Sequence, residues 1–204
     1  MRRLPEKAVR DRDVLDQILD AAVVAHVGID DDGPVVVPVA FARDGEQVLV
    51  HGSAASRLFR RLAAGAPACL TVTILDALVV ARASFELSMN YRCVMVFGRF
   101  TEVTGAEAKT AALRTLTETL MPGRWADVRP PDPQELLATT VLALPLAECS
   151  VKVSDKYPDD SPEDRAMNVW AGLVPVRRSL GTPIPDRDLP DGIPVPGYIS
   201  AWNA

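Results

Sequence analysis

The sequence is poor in the residues that build disulfide scaffolds and metal centres. It contains three cysteines and two histidines among 204 residues. Cys69, Cys93 and Cys149 are odd in number and widely spaced, and no two of them form a CxxC pair, so we expect reduced thiols in apolar surroundings. His26 and His51 are too few and too far apart in sequence to indicate a zinc site. We therefore expect no structural disulfide and no protein-bound metal ion.

Membrane and nucleotide signals are also missing. No apolar run approaches the ~20 residues that cross a bilayer, and none follows the charged N-terminal segment, so we expect a cytoplasmic protein with no membrane partner. The motifs GxGxxG and GxxxxGK[ST] are both absent, which argues against a Rossmann domain and a P-loop. A net charge of −5 leaves no basic footprint for nucleic acid.

The sequence is rich, by contrast, in short β-branched and apolar runs joined by turns. Residues 23–29, 35–43 and 47–51 are separated by DDDG and by Asp-Gly, which favour hairpins. Three further runs, at 68–74, 91–103 and 139–153, bring the total to six. We predict a mainly β fold, a six-stranded antiparallel barrel with peripheral helices over 54–64 and 106–120 and after Asp11 or Asp13.

Proline divides the chain into two parts. Residues 1–153 contain the predicted strands, whereas residues 154–204 contain eight prolines and cannot form a regular central sheet. We predict a barrel domain over 1–153 and a C-terminal extension over 154–204 that packs on the barrel or on a partner.

The strand-to-helix junction LVHGSAASR (residues 49–57) predicts a phosphate pocket. A helix N-terminus offers free N–H groups and a partial positive charge, which suit a phosphate when hydroxyl and guanidinium groups are also present. Arginines at 57, 60 and 61 repel one another on the helix unless an anion relieves them. Simple helix capping by the two serines is the alternative. The candidate residues are His51, Ser53, Ser56 and Arg57.

Two later segments add hydroxyl, amide and cationic groups. Thr71 and Thr73 lie in the strand-like run CLTVT, and SMNYR opens the next run with Ser88, Asn90, Tyr91 and Arg92. A turn role for the asparagine and a strand-edge role for the Tyr-Arg pair are the alternatives. Together with the junction, these segments predict a bound phosphorylated cofactor.

Five segments, in this order, resemble the pyridoxamine 5′-phosphate oxidase-like flavoproteins, in particular the branch related to nitroimidazole-resistance proteins. They are VVVPVAF (35–41), LVHGSAASR (49–57), CLTVT (69–73), LVVARASFELSMNYRCVMVFG (78–98) and NVWAG (168–172). The resemblance implies an antiparallel split β-barrel of the FMN-binding type. It also implies a homodimer with FMN at the subunit interface.

The resemblance also assigns expected roles. It places Pro38 and Val39 beside the isoalloxazine ring and Ser53, Ser56 and Arg57 near the phosphate, with His51 on the substrate side as a candidate catalytic proton donor. The remaining shell consists of Thr71, Thr73, Ser88, Asn90, Tyr91 and Arg92, with Lys152 and Trp170 as ring or partner-subunit contacts.

Three departures from the family pattern stand out. Ala77 replaces a glycine and Cys93 replaces a serine, both small residues that preserve the pocket. Pyridoxamine-phosphate oxidases engage substrate through an Arg-x-His element near the C-terminus, whereas both histidines of this chain lie in its first third. True pyridoxamine-phosphate oxidation is therefore disfavoured.

The resulting hypothesis is an FMN-dependent oxidoreductase that acts on a small organic substrate, with no nucleic-acid partner. Two alternatives remain open: a haem-binding split-barrel protein with His51 or His26 as axial ligand, and a non-catalytic flavin carrier or sensor. The deazaflavin F420 in place of FMN also remains open, because a phosphorylated ribityl chain is common to both.

Overall fold

Apolar alternation and tight turns produce the first long strands. In the computed structural model, which describes residues 8–9 and 11–202, helix α1 (Arg12–Ala21) begins at Asp11, whose carboxylate accepts the Asp13 N–H. Strands β2 (Val24–Asp30), β3 (Pro34–Asp44) and β4 (Gln47–Ser53) then form an antiparallel meander. The tight β3–β4 turn needs Gly45, which has φ 58°.

The longest hairpin follows, formed by β5 (Pro67–Val80) and β6 (Ser88–Arg99). Its register shifts between Leu75 and Ala77, which leaves Asp76 as a bulge residue. The remaining strands are β1 (Ala8–Val9), β7 (Thr101–Glu102), β8 (Thr139–Pro145), β9 (Cys149–Ser154) and β10 (Gly172–Pro175).

The strands pair in the order β1-β9-β6-β5-β2-β3-β4-β8-β7, and β10 pairs with β5 off this path. Every pairing is antiparallel, which confirms the split-barrel prediction. The predicted count of six strands is wrong, because the described residues form ten. A turn at residues 146–148 divides the run 139–153 into β8 and β9, and the proline-rich extension still supplies one edge strand.

The core lies inside the barrel. Helix α1 contributes Leu15, Ile18 and Leu19 to it, and helix α2 (Arg57–Ala63) contributes Leu58, Phe59 and Leu62. Helix α3 (Ala106–Leu120) covers the outer surface of β3, β4 and β8 instead, in a second cluster that includes Ala42, Leu49 and Leu116.

Three short helices complete the described chain: α4 (Pro133–Ala138), α5 (Pro162–Arg165) and α6 (Gly197–Ala201). The extension is attached at both ends, because β10 lies beside β5 and α6 contacts the loop after α3. There the Tyr198 hydroxyl donates to Asp127 and the Trp202 indole N–H donates to the Pro122 carbonyl. Among the described residues, no helix has the length and apolarity needed to cross a membrane.

Candidate functional site

Five strands present one continuous outward surface beside α3. Residues paired across a ladder share a face, and so do alternate residues along a strand. His26 pairs with both Pro38 and Thr71, and Thr73 pairs with Cys93, which in turn pairs with Lys152. We call this surface the open face; its members are Val24, His26, Val36, Pro38, Thr71, Thr73, Tyr91, Cys93, Met95, Phe97 and Lys152.

The open face combines polar groups with exposed apolar area. The Thr71 hydroxyl donates to the Val94 carbonyl at 3.2 Å, and the Thr73 hydroxyl donates to the Cys93 sulfur at 3.6 Å. The Lys152 ammonium lies 5.6 Å from the centre of the Tyr91 ring. Hydroxyls, a thiol, an aromatic ring and a cation therefore lie side by side on neighbouring strands.

His26 belongs to the open face, and His51 lies on the same side of the sheet, on the adjoining strand β4. His51 follows Leu49 by two residues, and Leu49 pairs with Ala42, which lies on the same face of β3 as Pro38. The His51 side chain is exposed overall, but part of its ring is shielded from water, and this desolvation lowers the pKa of the imidazole. At neutral pH the ring is therefore neutral, which is the form that accepts a proton or binds a metal.

At the β4–α2 junction, the charges are already partly paired. The Arg57 Nε lies 2.5 Å and the Arg61 Nε 3.0 Å from the carboxylate of Asp31, whose side chain is largely buried. Asp31 lies in the β2–β3 turn, and its carboxylate reduces the repulsion among the arginines of α2. The sequence predicted a bound anion in that role. Ser53 accepts the Ala55 N–H at 3.2 Å, and Ser56 is the N-cap residue of α2 without a side-chain capping bond.

Four of the predicted cofactor residues point away from the open face. Val39 is buried in the barrel core. On β6, Ser88, Asn90 and Arg92 alternate with Tyr91 and Cys93 and so lie on the opposite face. Pairing with Cys93 places Lys152 on the open face with Tyr91.

Two of these β6 residues are committed to internal contacts. The Asn90 amide donates to the Lys156 carbonyl at 2.9 Å and accepts the Lys156 N–H at 3.0 Å, which fixes the chain after β9. The Arg92 guanidinium forms a two-pronged contact with Asp76 at 3.0 and 2.7 Å, and this carboxylate raises the pKa of Arg92. Trp170 is 65% exposed in the extension, with its ring against Gly172.

The sequence did not reveal a cleft at the edge of the open face. It has a volume of about 570 Å³ and lies between the α1–β2 junction, the β5 bulge and the chain after β10. His26 and Thr73 line it together with Arg92 and Arg178. Arg178 lies in the proline-rich extension, where no local pattern marked it. Among the described residues, no group of three or more His, Cys, Asp or Glu side chains is arranged to hold a metal ion.

The antiparallel strand order defines a split-barrel protein of the flavin-binding fold type. The family model for pyridoxamine 5′-phosphate oxidase matches residues 11–153, and the chain belongs to this family. This result confirms the resemblance seen in the sequence.

Two solved structures resemble nearly the whole chain. One is the FAD- and haem-binding protein of Mycobacterium smegmatis, with 40% identity, 97% of each chain covered and a TM-score of 0.93. The other is the flavocytochrome Anf3 of Azotobacter vinelandii, with 39% identity, a TM-score of 0.92, and 98% of this chain and 94% of that chain covered.

A third structure shares the fold alone. It is a protein of Bacteroides thetaiotaomicron assigned to 5-nitroimidazole antibiotic resistance, with 20% identity, a TM-score of 0.59, and 72% of this chain and 86% of that chain covered. A comparison with curated proteins found no match.

Proposed function

We propose that this protein is a flavin-dependent redox protein that binds its flavin on the open face. The observation that supports this proposal most strongly is a row of side chains across three paired strands, Thr73, Cys93 and Lys152, beside an exposed apolar surface. The names of the two relatives similar over nearly their whole length, an FAD- and haem-binding protein and a flavocytochrome, support the same class.

The residues of the open face fit a flavin. Hydroxyl groups of Thr71 and Thr73 suit its polar edge, and the exposed surface of Pro38 suits the flat ring. Ser53, Ser56 and Arg57 remain the candidates for the phosphate, with Asp31 as a competitor for the guanidinium. Asn90 and Arg92 act on the site indirectly, by fixing the chain after β9 and the β5 bulge.

Bound flavin supplies hydride or electron transfer, and the protein sets its orientation and potential. Lys152 contributes a positive charge to the open face, which favours a ligand that gains negative charge on reduction. Arg92 contributes less, because Asp76 neutralises it. The neutral His51 ring is able to accept a proton from a substrate at that face. We infer an oxidoreductase acting on a small organic substrate.

We also propose a homodimer with the flavin at the interface. Val24 and Val36 are 47% and 65% exposed on the open face, and Phe97 is exposed at its edge. Contiguous apolar surface of this kind marks an interface in a soluble protein. A second copy seated on the open face would cover this area and exclude water from the flavin.

Haem binding is the second candidate, and the two histidines favour it. His26 and His51 reach the same face from β2 and β4, and a neutral imidazole is the ligand that haem iron takes. Desolvation lowers the pKa of His51, which favours the unprotonated ring that an axial ligand needs. Haem and flavin on one surface would make the protein a flavocytochrome.

An absorption spectrum of the purified protein, before and after addition of FMN, FAD and haem, tests both proposals. A two-banded flavin envelope is expected, and it should bleach under anaerobic NADH or NADPH and recover with an acceptor. A Soret band that is lost in His51→Ala and kept in His26→Ala supports haem on His51. Absence of any flavin binding contradicts the main proposal, and flavin reduction without reoxidation by any acceptor favours a carrier.

A further inference from the structure

The 570 Å³ cleft opens at a gap along one edge of β5. On this edge β2 pairs with residues 68–71 of β5 and β10 pairs with residues 77–80, while β6 pairs with the other edge. Residues 73–76 lie between the two pairings and form one wall of the cleft. Residues 21–24, at the α1–β2 junction, form the opposite wall. The cleft is therefore built by the divergence of β2 from β5 before β10 joins the sheet.

The cleft adjoins the proposed flavin site at the end that is remote from the phosphate. His26 and Thr73 belong to the open face and also line the cleft. The cleft lies at Val24, where β2 begins, whereas Arg57 contacts Asp31 just beyond the last residue of β2. The seven residues of β2 span about 20 Å. A flavin with its phosphate at Arg57 and its ring over Thr73 therefore presents the ring to the cleft.

Arg178 gives the cleft a positive charge that no carboxylate balances. The Asp and Arg side chains that line the cleft are Asp76, Arg92 and Arg178. Asp76 and Arg92 neutralise each other through their two-pronged contact at 3.0 and 2.7 Å. Arg178 forms no ion pair within the described part of the chain, and its Nη2 donates to the Ala21 carbonyl at 2.8 Å. These side chains leave one positive charge, which suits a ligand with one anionic group.

Capping of helix α1 accounts for only part of what Arg178 can do. Ala21 is the last residue of α1, and a cation is favourable at the C-terminal end of a helix. The bond to Ala21 uses Nη2, and a guanidinium carries five N–H donors. The Nε and Nη1 groups therefore keep donors for a two-pronged contact with a carboxylate, while the bond to Ala21 holds the guanidinium in place.

Most of the remaining cleft lining is apolar. Leu75 lines the cleft from β5, Val23 and Val24 line it from the α1–β2 junction, and Val176 lines it from the C-terminal extension. All four side chains are exposed, so a ligand between them would remove apolar surface from water. Apolar walls with a few polar groups, in a volume of 300–1,000 Å³, are typical of small-molecule sites. The cleft thus suits an apolar body attached to an anionic group.

We propose that this cleft binds the substrate of the flavin, and that the substrate is a small organic carboxylate. Its carboxylate lies on Arg178, and its apolar body lies between Leu75 and Val176, next to the flavin ring at Thr73. The inference rests on the proposed flavin function and deepens it, because it names the substrate class. The family model ends at residue 153, so Arg178 and Val176 lie outside the part of the chain that it matches.

Calorimetric titration of the flavin-loaded protein with benzoate tests the charge. Benzamide is the uncharged counterpart of this probe, and it should bind about tenfold more weakly than benzoate. Arg178→Gln should raise the dissociation constant of benzoate about fivefold to tenfold and change that of FMN less than about twofold. Arg177→Gln is the matched control, because Arg177 is the exposed neighbour and does not line the cleft, and it should change neither constant. Benzoate should also shift the absorption spectrum of the bound flavin.

Val176→Trp tests the position of the apolar body. Val176 is 41% exposed, so a larger side chain there should fill the cleft without disturbing the core, and benzoate binding should be lost. Trp202→Leu is the control, because Trp202 lines a neighbouring cleft of about 350 Å³ that shares Arg178. This variant should bind benzoate as the wild type does. Loss of benzoate binding in Trp202→Leu, with binding retained in Val176→Trp, would place the ligand in the neighbouring cleft and overturn the assignment.

The outcomes separate this inference from the proposed function. If no flavin binds the wild type, the proposed function fails and the substrate assignment fails with it. If flavin binds, three results refute the cleft assignment alone: no benzoate binding, equal benzoate affinity of Arg178→Gln and the wild type, or an unchanged flavin spectrum. If Arg178→Gln lowers haem affinity and keeps benzoate affinity, the guanidinium binds a haem propionate, and the substrate assignment is again refuted.

Discussion

The carboxylate of Asp31 lies 2.5 Å from the Nε of Arg57, across the gap between the β2–β3 turn and the start of α2. It lies 3.0 Å from the Arg61 Nε as well. The cationic corner that the sequence marks as a phosphate pocket thus carries an internal anion. A flavin phosphate at this corner has to share the guanidinium groups with Asp31 or displace its carboxylate.

Replacing this carboxylate should strengthen phosphate binding. Although the Asp31 side chain is largely buried, both guanidinium groups are more than half exposed, so each ion pair is worth about 1 kcal/mol or less. Asp31→Asn should therefore raise FMN affinity by up to about fivefold and lower the free energy of unfolding by a similarly small amount. Asp32→Asn is the matched control, since Asp32 is fully exposed and 3.9 Å from Arg57. Flavin titration measures the effect. A fall in FMN affinity for Asp31→Asn would show instead that the carboxylate positions Arg57.

The substitution Gly52→Ala tests how closely Phe59 packs against β4, next to the β4–α2 junction. A Cβ at this position would lie 2.3 Å from the Phe59 ring, which is buried in the core. Gly52→Ala should therefore cost about 1–3 kcal/mol of the free energy of unfolding, measured by urea denaturation. Gly28→Ala is the control, because its nearest neighbour atom is 3.7 Å away. The double variant Gly52→Ala, Phe59→Leu should recover part of the lost stability. Equal stability of Gly52→Ala and Gly28→Ala would contradict this packing.

His51 should make stability depend on pH. Desolvation places the pKa of its folded form below 6.5, so between that pKa and 6.5 the unfolded chain binds more protons than the folded one. Stability is therefore lost as the pH falls below 6.5. Urea unfolding from pH 7.5 to pH 5 should show a steeper loss for the wild type than for His51→Gln. Identical slopes for the two proteins would show that the imidazole ring is not desolvated in the folded state.

The Asp160 carboxylate fixes the start of the extension on the β5–β6 hairpin. It is 2% exposed and accepts the N–H groups of Arg82 and Ala83 at 2.9 and 3.2 Å and the Arg82 guanidinium at 3.1 Å. Burial raises the pKa of Asp160, but these hydrogen bonds outweigh it and hold the pKa below its usual value. The stability that this group contributes is therefore present above pH 3.8 and lost as the pH falls below it.

Asp160→Asn should lower the melting temperature by about 5 °C or more, because it removes the charge that pairs with the partly buried Arg82. Asp159→Asn, at the exposed neighbouring residue, should leave it within about 1 °C. Thermal unfolding followed by circular dichroism measures both. An equal effect of the two substitutions would indicate that the hairpin and the extension are attached by other contacts.

Local patterns predicted the barrel well. Asp-Gly at 44–45 and alternating apolar residues were sufficient for β2, β3 and β4, because hairpin turns and strand periodicity are local properties. Helices α1 and α3 were found for the same reason, and of the two predicted caps of α1, Asp11 and Asp13, the structure has Asp11. Strand β10 was not predicted. Its pairing with β5 joins residues about 95 positions apart, and the proline-rich segment shows no apolar alternation that would mark a strand.

The candidate site was predicted by residue type but not by direction. Strand alternation places Tyr91 on one face of β6 and its neighbours Asn90 and Arg92 on the other. The sequence alone did not reveal that Asn90 hydrogen-bonds to Lys156 and that Arg92 hydrogen-bonds to Asp76. Likewise, nothing near Asp31 in sequence indicates that its carboxylate faces Arg57. Side-chain partners of this kind are set by the meeting of distant strands, which composition and spacing do not encode.

A crystal structure of the flavin-loaded protein is the most direct test of the central claim. The account predicts electron density for the flavin ring over Thr71, Thr73 and Cys93, with a second copy of the chain closing the open face. Flavin density elsewhere, with those side chains in contact with solvent or with protein alone, would contradict it.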